Sequence, residues 1–231
     1  MPNNDSLFNL SQALDLGIKY LDKKDYNLAI AELNKVLNLN PKNETAIVTL
    51  GHVYLQQKNY LQAIELFNRV LEIDPEGIDP HEGLGFCYFE QGHIAEAMEK
   101  FNYVLNFDPG NEHVHFGLGL CYQQKEEFDK AIEEFKSVLK INSLHCQIYS
   151  NIGMCYYQKN NFSAAIEQFN KALKIDPGDC YARKGLAQIY LKQDNPMLCL
   201  EELQKIKEAG LIDETYSYLL SQLYMQQKNY D

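Results

Sequence analysis

Six cysteines, six histidines and thirty-two aspartate and glutamate residues are the side chains with which this 231-residue chain could do chemistry. The cysteines (Cys87, Cys121, Cys146, Cys155, Cys180 and Cys199) would serve as nucleophiles, redox pairs or metal ligands, yet no two are spaced Cys-x-x-Cys. Three of them, Cys87, Cys121 and Cys155, recur every 34 residues. A free cysteine packs as a small hydrophobe, so the set is expected to be reduced core thiols. His113 and His115 stand two residues apart, which on a helix separates their directions. No carboxylate or thiolate set at zinc spacing completes them, so no metal is expected. Gly83-Leu84-Gly85 and Gly117-Leu118-Gly119 echo a dinucleotide loop but lack its third glycine and fall inside helical patterns. Glu126-Glu127, Glu133-Glu134 and Glu201-Glu202 lie near lysines such as Lys130, as solvated helix faces do. The reading is therefore non-enzymatic, with no catalytic residues and no cofactor.

The composition narrows the partners. Net charge is −11, and no run of Lys or Arg exceeds two, so nothing tracks a phosphate backbone or an anionic membrane. No stretch approaches the roughly 20 apolar residues of a spanning helix, and the opening Met-Pro-Asn-Asn-Asp lacks the basic-then-apolar pattern of a secretory signal. A soluble, cytoplasmic chain is the expectation. Its 45% hydrophobic content is ample for a packed core and excludes disorder.

The elements that position these residues come from a repeat. Leu16-Gly17-x-x-Tyr20, Leu50 to Tyr54, Leu84 to Tyr88, Leu118 to Tyr122 and Ile152 to Tyr156 each start 34 residues after the last. The same spacing carries Ala29, Ala63, Ala97, Ala131 and Ala165, then Leu33, Phe67, Phe101, Phe135 and Phe169, and also Pro41, Pro75, Pro109 and Pro177, with Ser143 in the gap. Within a unit the apolar residues follow helical spacing, as in Ala29, Ile30, Leu33, Val36 and Leu37. Each unit thus reads as two amphipathic helices, A and B, joined by a polar turn and closed by Asp-Pro or Asn-Pro, since proline cannot continue a helix. The glycines are expected to let helix A approach helix B, with the alanines answering from the other side. Stacked units then bury one continuous core.

These columns resemble the tetratricopeptide repeat, with Leu-Gly-x-x-Tyr in helix A, a small residue and an aromatic in helix B, and a terminal proline. Aligned to that family, the units are a lead-in at 1–9, six repeats at 10–43, 44–77, 78–111, 112–145, 146–179 and a degenerate 180–213, and at 214–231 the first helix of an unfinished seventh. The resemblance implies an all-α fold, a right-handed α-solenoid or superhelix of helix-turn-helix repeats. Gln226-Gln227-Lys228-Asn229-Tyr230 repeats Gln56-Gln57-Lys58-Asn59-Tyr60, so the natural chain is expected to continue, or Leu220, Leu223 and Tyr224 to meet another chain.

The family lines its concave side with helix A residues, and the resemblance carries that placement onto this chain as a peptide-binding set of Val48, His52, Asp79, Glu82, Phe86, Phe89, Phe116, Leu120, Asn151, Met154 and Tyr157. Phe86, Phe89 and Phe116 are the favoured apolar anchors, and Asp79 and Glu82 would read a basic residue. Gly83 and Gly117 beside them would leave bare backbone for a close-running peptide. Such an apolar groove with an acidic centre suits an extended or helical segment with apolar anchors and basic character. The residues with which some family members hold chaperone carboxylates are replaced here by Leu14, Ile18, Thr49, Asp79 and Gly83, which argues against that ligand. A protein-binding scaffold is the first expectation. The alternatives are the substrate-recruiting arm of a larger enzyme such as a glycosyltransferase, and a scaffold that self-associates through its C-terminal helix or the Leu7-Phe8 segment.

Overall fold

The computed structural model describes residues 4–228, with side chains described from Leu10 to Gln226. Leu7, Phe8, Asn229 and Tyr230 thus lie outside the described side chains. Thirteen helices make up the described residues, with no strand among them: α1 (Asn4–Asp22), α2 (Tyr26–Leu39), α3 (Glu44–Gln56), α4 (Tyr60–Leu71), α5 (Ile78–Glu90), α6 (Ile94–Phe107), α7 (Glu112–Gln124), α8 (Phe128–Ile141), α9 (Cys146–Gln158), α10 (Phe162–Ile175), α11 (Cys180–Lys192), α12 (Pro196–Glu208) and α13 (Glu214–Lys228). From α3 to α13 the odd-numbered helices start 34 residues apart. The first is longer, and residues 4–9 of the expected lead-in are part of it.

The chain forms two compact units, up to Gly117 and from Leu118. In the first, α1 pairs with α2, α3 with α4 and α5 with α6, while α2 packs on α3 and α4 on α5. In the second, α9 pairs with α10 and α11 with α12, α8 packs on α9 and α10 on α11, and α13 lies against α11 and α12. The architecture is an all-α solenoid of helical hairpins.

Two backbone devices set the repeat. Each A–B turn places one residue in the left-handed region: Lys24, Lys58, Glu126, Asn160 and Asp194 at φ 56–60°, and Gly92 at 79°. That residue closes a C-cap in which the next N–H donates back to the carbonyl of the helix A tyrosine, as from Asp25 to Tyr20 (2.8 Å) and Asn59 to Tyr54 (2.8 Å). At the other end of the first five hairpins an Asn or Asp side chain accepts from the N–H two residues on: Asn40 from Lys42, Asp74 from Glu76, Asp108 from Gly110, Asn142 from Leu144 and Asp176 from Gly178. This Asx turn explains the tolerated Ser143, because Asn142 makes the same turn without a following proline.

The glycine column is matched differently from expectation. A Cβ on Gly51 would fall 2.7 Å from the Phe67 ring, on Gly85 2.5 Å from Phe101, on Gly119 2.4 Å from Phe135 and on Gly153 2.7 Å from Phe169. The nearest partner is the helix B aromatic, with Leu33 in that place for Gly17, where the Ala29 carbonyl also lies 3.7 Å away; the alanines are fully buried, Ala29, Ala63 and Ala165 in the same clusters as Leu33, Phe67 and Phe169. Gly83 and Gly117 are corrected likewise. They are buried, and a Cβ there would fall 2.3 Å from Phe67 and 2.6 Å from Phe101, so they receive the preceding hairpin's ring rather than a peptide. The physical reason is volume, because one phenylalanine needs a notch on both helices it touches.

The last helix is better covered than the pattern suggested. Tyr216, Leu219 and Leu223 are buried with Ala187, Cys199, Leu203 and Ile206, and Leu220 packs against them. Tyr218, Tyr224 and Met225 remain exposed.

Candidate functional site

In the first unit the inner helices α1, α3 and the start of α5, together with the α4–α5 turn, enclose an open groove of about 710 Å³. Ile18 and Leu21 of α1 and Val48 and Thr49 of α3 supply apolar and small-polar walls, and His52 also lines the groove. The opposite rim carries Asp74, Glu76 and Asp79, and Glu44 stands at the α3 N-terminus; no lysine or arginine lines the groove. None of these four carboxylates takes part in an ion pair among the described residues. Val48, His52 and Asp79 were on the sequence-derived set. The Asp74 and Glu76 carboxylates were not, although Asp74-Pro75 stands in the column of hairpin-closing turns and could have been read from it.

Beside this groove lies a polar cluster. Glu82 accepts from Asn111 Nδ2 at 3.1 Å and from His113 Nδ1 at 3.2 Å, so both its oxygens are engaged within the protein. Asn111 is itself fixed, its Oδ1 accepting from the Val114 N–H as a cap of α7. Burial pushes the Glu82 carboxyl up, but the hydrogen bonds from His113 and Asn111 outweigh it and hold the group below the usual carboxylate range. The bond to Glu82 in turn raises His113. His52, half-buried with its ring edge-on to Phe67 at 5.2 Å, is lowered by burial despite the nearby Glu82 and Asp79.

The expected phenylalanine anchors are half-buried rather than laid open, and the apolar surface of the inner face is correspondingly smaller than expected. Phe86 stands edge-on to Phe101 at 5.0 Å and borders a separate cavity of about 220 Å³ with Leu55, Gln56, Lys58, Tyr60 and Glu90. Phe89 and Phe116 are likewise half-buried. In the second unit Leu120, Met154 and Tyr157 are half-buried and Asn151 is buried, its Nδ2 without a hydrogen-bond partner. Met154 and Tyr157 pack against the core cluster that contains Phe169 and Leu186, and Lys192 Nζ lies 4.5 Å from the centre of the Tyr157 ring.

Burial pushes Cys87, Cys121 and Cys155 up to about 12 and Cys199 to about 11, away from the reactive thiolate. Cys146 and Cys180 are half-buried, which corrects the expectation of six core thiols, and all six are free. No group of three His, Cys, Asp or Glu among the described residues is placed to hold a metal. His81 stacks on Tyr103 at 3.9 Å, and His115 Nε2 lies 3.0 Å from the Pro109 carbonyl oxygen. No helix among the described residues is long and apolar enough to cross a membrane.

Sequence models of the tetratricopeptide repeat match residues 20–81, 54–102 and 88–147, and a second one matches 146–179. The chain belongs to the tetratricopeptide repeat family. Among solved structures, this tetratricopeptide repeat chain is similar to one in the APC/C hetero-tetramer Cut9-Hcn1, with 21% identity and a TM-score of 0.83, over 93% of this chain and 42% of that one. It therefore spans less than half the length of that relative. PilW, a type IV pilus biogenesis factor, has 19% identity and a TM-score of 0.82, over 95% of this chain and 100% of its own. MamA has 26% identity and a TM-score of 0.59, over 73% and 92% of the two chains. No curated protein sequence matches the chain. The structural likenesses establish the fold; the repeats indicate a protein-interaction scaffold.

Proposed function

We propose that this tetratricopeptide repeat protein is a non-enzymatic scaffold that binds a protein segment with apolar anchors and basic residues in the groove of its first unit. The observation that carries the reading is the composition of that groove, about 710 Å³ in volume, with aliphatic side chains on one wall and four carboxylates and no cation around it. Ile18, Leu21 and Val48 offer burial to an aliphatic or aromatic anchor, at about 25 cal/mol per Å² removed from water. Asp74, Glu76, Asp79 and Glu44 attract a lysine or arginine beside it, and also speed the encounter. Glu82, held by Asn111 and His113, adds negative charge beside the groove, and Phe86, Phe89 and Phe116 act chiefly as packing.

Selection of random twelve-residue peptides displayed on phage tests the reading, with sequencing of the enriched pool. Enriched peptides should pair Leu, Ile or Phe with Lys or Arg and lose binding to a D74N/E76Q/D79N variant that melts like the parent. A pool that is acidic, or that binds the variant equally well, would overturn the assignment.

A further inference from the structure

The proposed ligand is basic, and the groove that would take it has two imidazoles built into or beside its acidic side. His52 on α3 lines the groove itself, half-buried on Phe67. His113 on α7 is mostly exposed, and its Nδ1–H donates to the Glu82 carboxylate of α5 at 3.2 Å. The charged groups facing His52 are Glu82 and Asp79 from α5 and His113 from α7; those facing His113 are Glu82 and, on its own helix, Glu112. Glu44, Asp74 and Glu76 complete the groove. Histidine is the side chain whose ordinary charge change falls between about pH 5 and 8.

We propose, on the strength of the basic-segment reading above, that the His52–Glu82–His113 cluster makes the groove proton-controlled, binding a basic segment at mildly alkaline pH and releasing it on acidification. With both imidazoles neutral, Glu82 and Asp79 present their full negative charge to the ligand. Protonation of His113 compensates the Glu82 charge beside the groove, and protonation of His52 adds a positive charge inside it. Both steps oppose an incoming ammonium or guanidinium. The order follows from surroundings: the Glu82 bond makes His113 the easier to protonate, and burial makes His52 the harder. The sign follows by linkage, since a cationic ligand favours the deprotonated imidazoles, so affinity is greatest above the His113 transition and falls as pH drops through it and then through that of His52.

The test uses peptides selected at pH ~8 that contain no His, Asp or Glu and are acetylated at the N-terminus, so that no peptide group titrates across the range. Their dissociation constants are measured by fluorescence anisotropy between about pH 8 and 5.5 on the parent chain, H113Q, H52Q and H93Q. The parent should weaken about tenfold across this range, the scale of one added charge near the ligand at the protein surface. H113Q should lose the upper part of that decline and H52Q the lower part, while H93Q, in an A–B turn away from the groove, should follow the parent. His113 is exposed, so H113Q carries the test by itself if H52Q does not fold. A flat parent profile, or an H113Q profile that matches the parent, overturns the switch and leaves the groove assignment standing. A selection that yields no basic peptides overturns the groove assignment and the switch together.

Discussion

Residues up to Gly117 carry seventeen carboxylates against eight lysines and arginines, whereas those from Leu118 onward carry fifteen against thirteen. The second unit carries most of the ion pairs: Glu127 pairs with Lys125 and Lys130, Asp129 with Lys159, Glu167 with Lys171, Asp213 with Lys184, and the buried Glu202 with Arg183 and Lys205. The first unit leaves Glu44, Asp74, Glu76 and Asp79 unmatched around an open groove. The cores, by contrast, are built alike, with buried Phe67 and Phe101 in one unit and Phe135 and Phe169 in the other, each set in a glycine notch. The difference teaches that the repeat fixes packing and leaves surface charge free, so the same hairpin carries nearly balanced charge in one place and borders an acidic groove in another.

Four experiments would break or sharpen that contrast. The largest effect should come from the shared core, where G85L and G119L push a side chain into Phe101 and Phe135. Each should cost about 1–3 kcal/mol in urea denaturation, and a variant that unfolds like the parent would show that its notch is not the tight contact described. Next, D74N/E76Q/D79N should weaken a selected basic peptide about tenfold, or roughly 1.4 kcal/mol, whereas E126Q/E133Q in the second unit should leave its anisotropy titration unchanged. Equal losses from both would erase the distinction between the units. A smaller effect belongs to the turns: G92A places a Cβ in the left-handed region and should lower stability by about 1 kcal/mol, while E126G at the matching turn should raise it by less, both visible as opposite shifts of the melting temperature. The smallest should be K192Q, which removes the cation over Tyr157 at a cost of about 0.5 kcal/mol; peptide affinity should not change, and a changed affinity would draw the second unit into binding.

Much of the fold was legible because a 34-residue period constrains several columns at once. The hairpins, the buried Ala29 column and the aromatic column of Phe67 could be placed from spacing. The role of Gly83 could not, since one glycine in a helix looks the same whether it admits a ligand or a neighbouring ring. Exposure of Phe86 and Phe116 was overestimated for a related reason: helical position tells which way a side chain points, and packing decides how much of it is covered. The acidic rim at Asp74 and Glu76 was hidden in a turn that the pattern treated as punctuation, and the partnership of Glu82 with Asn111 and His113 joins residues about thirty positions apart.

The sequence by itself determined the helical hairpin, its period, its closing turns and the sign of the charge, because each depends on local backbone preference or on composition. Only the tertiary structure decided which acids ring an open groove, which are spent on lysines, and which glycines are filled from behind. Those outcomes depend on how neighbouring hairpins share volume, which no single repeat encodes.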